Sequence, residues 1–157
     1  MRKRSRYRPK PVMTWMPTSD QMNIAIMTYL FDDKLARGEF DDIDGNTLAF
    51  LLNVARKLAN DANNQEQIER ADKAMEAFLG IRQRRERTGK WGANGEELVS
   101  MREHLPPLAD YMTSQPVHRL QAARSYVLKV NRRMHEEGAL FADVEVDGSL
   151  VNVRRAA

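Results

Sequence analysis

From Met22 to Met134 the apolar residues recur every three or four positions, the period of helices that bury one side. Met22, Ile26, Tyr29 and Leu30, widened by Ile24, Met27 and Phe31, mark a first helix. It should begin near Thr18, Ser19 or Asp20, where a short polar side chain accepts the free amides of the first turn. Gly38 is its predicted stop, because glycine takes the left-handed backbone of a helix end. An acidic connector, Glu39 to Asn46, precedes a second helix predicted from about Thr47 to Ala62. Its inward residues are Leu48, Leu51, Leu52, Ala55 and Leu58, with Phe50 and Val54 on the flank. A polar break at 60–66 leads into a third helix, buried through Ile68, Ala71, Met75, Phe78, Leu79 and Ile81 and running to about Arg87.

Thr88 to Gly95 holds three glycines in eight residues and reads as a loop. Asn94 or Gly95 caps a fourth helix through Leu98, Met101 and Leu105, which Pro106 and Pro107 should break or kink. Leu108, Tyr111 and Met112 then continue as a short turn. Ser114 with Pro116 opens a last helix, lined by Val117, Leu120, Ala123, Val127, Val130 and Met134 and ended by Gly138. Beyond it the period changes to two. Ala142, Val144 and Val146 alternate with acids, Asp147-Gly148 follows, then Val151 and Val153, the pattern of a tight hairpin. A two-residue turn would pair Val146 with Ser149, Val144 with Val151 and Ala142 with Val153. The expected fold is therefore mainly α, a bundle of four to six helices with a C-terminal β-hairpin and a disordered basic N-terminal tail. Residues 1–17 form the tail and 18–157 a single domain, with the hairpin at 139–154.

Length supports one domain: 157 residues can bury a core without covalent staples. No cysteine is present, which removes disulfides, thiolate metal sites and a cysteine nucleophile. No apolar run reaches the roughly 18 residues of a membrane span, and no signal-peptide core opens the chain, so a cytoplasmic protein with no membrane partner is expected. The net charge of +3 divides unevenly. Arg2, Lys3, Arg4, Arg6, Arg8 and Lys10 place six cations in the first ten residues, while the remainder carries 19 basic against 22 acidic residues. Basicity is a property of the tail; the body is mildly acidic.

Catalytic patterns are missing. His104, His118 and His135 lack the i, i+4 spacing of a helical metal pair and read as solvated side chains. Aligning Gly45 with the glycine of a calcium loop puts Phe40 and Leu51 at the terminal ligand positions, where neither supplies a carboxylate. Gly89-Lys90 has neither the upstream glycine nor the following Ser/Thr of a phosphate loop, and no serine fits a nucleophile elbow. The chain reads as a non-enzyme with no cofactor and no metal.

Two basic clusters are the candidate nucleic-acid-binding residues. The first is Arg2, Lys3, Arg4, Arg6, Tyr7, Arg8 and Lys10, whose cations would displace counterions from phosphates while Tyr7 stacks on a base. The second is Arg82, Arg84, Arg85, Arg87 and Lys90 with Trp91, an aromatic beside cations in a glycine-rich loop. Arg119, Arg124, Lys129, Arg132 and Arg133 of the last helix do not share one narrow face and read as solvated surface. The opening Arg2-Lys3-Arg4-Ser5, followed by Tyr7-Arg8-Pro9-Lys10-Pro11-Val12, resembles the start of small uncharacterised proteins from bacteriophages and prophages. That resemblance implies a bacterial host cytoplasm and brings no catalytic residues. The expected function is a non-enzymatic nucleic-acid-associated or regulatory protein of phage type, its tail on phosphates with low specificity. The alternative is a protein–protein module that inhibits or adapts a host protein through Trp15, Met16 and Trp91, or through Asp41 to Asp44. Nine Met and an apolar hairpin make a homodimer plausible.

Overall fold

The computed structural model describes residues 19–136, together with the backbone of 142–146 and 149–152. Five helices make up the fold: α1 (Ser19–Arg37), α2 (Asp42–Asp61), α3 (Gln65–Thr88), α4 (Gly95–Ser114) and α5 (Val117–Glu136). The first four close a ring of neighbours, α1 on α2, α2 on α3, α3 on α4 and α4 on α1, and α5 lies against α2. Short connections make the successive helices of the ring antiparallel. Asp42 and Arg56 of α2 accordingly meet Arg85 and Asp72 of α3 in reverse order. Between them Phe31, Leu48, Leu52, Val54, Phe78, Ile81, Met101, Leu108 and Met112 are almost wholly buried, with Leu120 of α5 joining from outside the ring.

Each helix end is made by local chemistry. Gly38 has φ of +71°, and the amides of Gly38 and Glu39 bond the carbonyls of Leu35 and Lys34, closing α1 with a left-handed cap. Asp41 and Asp44 form a reciprocal capping box that starts α2, and Asn94 with Glu97 does the same for α4. Gly89, with φ of +74°, ends α3.

Four expectations need correction. First, the fold class is all-α: residues 19–136 hold five helices and no strand, and the hairpin expected to set Val144 opposite Val151 is not seen. The backbones of Ala142–Val146 and Ser149–Asn152 do run antiparallel, but Asp143 opposes Val151 and Glu145 opposes Leu150. An irregularity between Asp143 and Glu145 breaks the regular register that the alternation predicts. The N-terminal tail lies outside the described residues. Second, α2 begins at Asp42, not Thr47, because the acidic connector is a capping sequence whose carboxylates favour a helix N-terminus.

Third, α4 passes through Pro106 and Pro107 as one helix. The two carbonyls deprived of amide partners belong to Arg102 and Glu103, both exposed to water. Met101, Leu105, Leu108 and Met112 meanwhile hold both halves to the core. Fourth, α1 turns Ile24, Thr28, Phe31 and Leu35 inward, leaving Tyr29 and Leu30 63 % and 46 % exposed. Thr28 satisfies its buried hydroxyl by donating to the carbonyls of Ile24 and Ala25.

Candidate functional site

Around Trp91 the structure engages half of the second predicted cluster, Arg84, Arg85 and Trp91, and it does so within the molecule. The ring stacks beside Phe78 at 6.3 Å and meets Phe40 edge-on at 5.1 Å, while Phe40 in turn touches Phe31 at 5.9 Å. Its indole Nε1 donates to Asp42 Oδ1 at 2.7 Å, and Arg85 reaches the same carboxylate at 3.2 Å. The indole bond, then Arg85, hold Asp42 below the usual carboxylate range. Gly45 makes room: a Cβ there would lie 2.5 Å from Trp91 Cη2.

Arg84 binds Glu97 through two bonds, of 2.6 and 3.0 Å, and also donates to the carbonyl of Gly92. Burial alone would raise the Glu97 carboxyl, but Arg84 and the Asn94 amide outweigh it and the net shift is downward. Arg82 lies 3.6 Å from Glu86. Arg87 and Lys90 remain exposed at the end of α3. Trp91 and Arg85 therefore clasp the α3–α4 loop and the end of α3 to the start of α2, while Arg84 ties α3 to the loop and to α4. The acids Asp41, Asp42 and Asp44 are similarly engaged, in the cap, with Trp91 and Arg85, and with Lys34 at 2.6 Å.

This is a general feature of the ring. Lys34–Asp44 ties α1 to α2, Arg56–Asp72 ties α2 to α3, Arg84–Glu97 ties α3 to α4, and Arg102–Asp32 ties α4 to α1. The α2–α5 seam has instead Lys57 Nζ over the Tyr126 ring, 4.6 Å from its centroid.

Helix α5 is different. It turns Leu120, Ala123, Val127 and Met134 to the core and has α2 as its main helical neighbour, and much of its circumference faces water. Its exposed residues include His118, Arg119, Gln121, Ser125, Lys129, Arg132 and Arg133, with Arg124 half-buried on one edge. Five cations stand against one acid, Glu136, in its twenty residues, whereas residues 19–116 carry 12 Lys and Arg against 17 Asp and Glu. Among the described residues Arg119, Lys129, Arg132 and Arg133 enter no ion pair. By spacing these cations read as ordinary surface; the overlooked signal is that the helix itself holds five cations and one acid.

The histidines divide. His118 and His135 are exposed as expected, but His104 is only 6 % exposed, a correction to its solvated reading. Position 104 falls on the core side of α4 with Met101, Leu105 and Leu108, and its Nδ1 has no partner. Burial pushes its pKa below the ordinary 6.5. Among the described residues no three His, Asp or Glu side chains gather as metal ligands, and no helix is long and apolar enough to cross a membrane. Arg2, Lys3, Arg4, Arg6, Tyr7, Arg8, Lys10, Trp15 and Met16 lie outside the described residues.

No protein-family model, curated protein or solved structure matches the chain. What fold and surface together define is an all-α bundle with one cation-rich outer helix.

Proposed function

We propose that the protein is a non-enzymatic nucleic-acid-associated protein that holds phosphates through the outer face of α5, aided by the cations from Arg2 to Lys10. The observation that carries this is a set of α5 cations that enter no ion pair among the described residues. Elsewhere in the ring the arginines at helix seams are matched to carboxylates, yet Arg119, Lys129, Arg132 and Arg133 are not. Unpaired surface cations are ready to replace the counterions condensed on a phosphate backbone. The α3–α4 loop, by contrast, has its principal arginines and Trp91 engaged internally. The ring serves as the scaffold that presents α5.

Binding of the full chain to a labelled oligonucleotide at low salt tests this. The wild type is expected to bind, and Lys129→Ala/Arg132→Ala/Arg133→Ala to lose about tenfold or more in affinity with its helical circular dichroism intact. Absence of binding by the wild type at low salt contradicts the proposal.

A second reading, contact with another protein or a second copy of this chain, draws on Tyr29 and Leu30 of α1, apolar yet 63 % and 46 % exposed. If this surface self-associates, Leu30→Asp lowers the mass measured by light scattering. A wild type that is already monomeric removes the dimer.

A further inference from the structure

We propose that α5 grips the backbone of a double-stranded nucleic acid and does not stack on its bases. This rests on the reading of α5 as a phosphate-binding face and specifies which nucleic acid suits it.

Stacking needs a free aromatic surface beside the cations, because base–aromatic contact is what gives single strands much of their affinity. Among the described residues the outer side of α5 offers none. Its aromatic, Tyr126, is half-buried, with its ring against Lys57. Trp91 is packed on Phe40 and Phe78 and bonded to Asp42. Tyr29 is exposed but belongs to α1, whose helical neighbours are α2 and α4. The polar residues that accompany the cations on α5 are His118, Gln121 and Ser125, side chains able to donate to phosphate oxygens.

Geometry agrees with chemistry. From Arg119 to Arg133 the helix advances about 21 Å at 1.5 Å per residue. A duplex presents phosphates along each strand at about 3.4 Å per step, so this length faces roughly six steps of a rigid, regular array. The cations are spread around an arc of the helix and not along a single line. Such an array suits phosphates fixed on two sides of a groove better than one flexible strand. A flexible strand held without stacking loses its conformational freedom with little in return. The contacts go to the backbone, so sequence should matter little.

The test compares the full chain on a duplex of about 20 base pairs and on one of its separated strands, in the same low-salt buffer. The duplex is expected to bind at least tenfold more tightly, and changing its sequence to alter affinity less than threefold. A Trp15→Phe variant leaves Trp91 as the single tryptophan, and its emission is expected to stay unchanged on saturation with either ligand. Tighter binding of the single strand, or quenching of Trp91 by it, overturns the duplex assignment while leaving the phosphate-binding role in place. Failure of both ligands to bind overturns the assignment and the underlying role together.

Discussion

Gly45 sits within the first turns of α2, where alanine would ordinarily gain up to about 1 kcal/mol of helix stability. Here a Cβ would press against Trp91 Cη2 at 2.5 Å. Gly45→Ala is therefore expected to destabilise the protein by about 1–3 kcal/mol, the usual cost of overpacking. Gly95 opens α4 with nothing within 4 Å of such a Cβ. Gly95→Ala should be neutral or stabilising by up to about 1 kcal/mol. Urea titration of both variants checks the pair; equal effects would mean that the contact with Trp91 is unimportant. Trp91→Ala should cost about 3 kcal/mol through lost ring packing on Phe40 and Phe78. This role was hidden in the sequence. A tryptophan among glycines looks exposed by composition, and only the tertiary approach of Phe40, Phe78 and Asp42 shows where the ring goes.

Among the elements, the helices themselves were largely legible from periodicity and caps. Leu48, Leu51, Leu52, Ala55 and Leu58 all point inward as their spacing predicts, and Gly38 and Gly89 end helices because their φ is positive. The failures have physical causes. In α1 apolar residues occupy both sides, so spacing alone could not choose Ile24, Phe31 and Leu35 over Tyr29 and Leu30. In α4 the prolines cost two hydrogen bonds, but packing on both sides of them keeps the helix whole. The sequence also could not show which arginines find partners across a seam. Arg84 and Glu97, 29 % and 12 % exposed, make one such tie. A double-mutant cycle with Arg84→Met and Glu97→Gln should give a coupling energy of about 1 kcal/mol. A coupling near zero would mean that the α3–α4 loop is held by Trp91 alone.

For the whole molecule, two consequences follow from where charge is buried and where it is bare. His104 faces Lys73 and Arg70 of α3 and lies beside Glu103, and burial, the largest influence, lowers its pKa. The unfolded chain then takes up a proton near pH 6.5 before the folded protein does, so His104 stabilises the fold above that pH and weakens it as pH falls through and below it. The melting temperature should fall between pH 7.5 and 5.5, and His104→Leu should flatten that part of the profile. A wild-type melting temperature constant over this range would contradict the burial of a neutral imidazole. Asp42 and Glu97, both held below their ordinary values, add a second loss only below about pH 4.5, where the unfolded carboxylates protonate first.

The other consequence concerns binding. Five cations of the ring tie helix to helix, whereas Arg119, Lys129, Arg132 and Arg133 of α5 enter no ion pair among the described residues. The most direct measurement is the slope of log affinity against log salt for a DNA duplex, taken with the full chain and with Lys129→Ala/Arg132→Ala/Arg133→Ala. Each phosphate neutralised contributes a slope of about −0.9, so loss of three cations should flatten it by roughly 2 to 3. An unchanged slope and affinity in the triple variant would contradict the assignment of phosphate binding to α5.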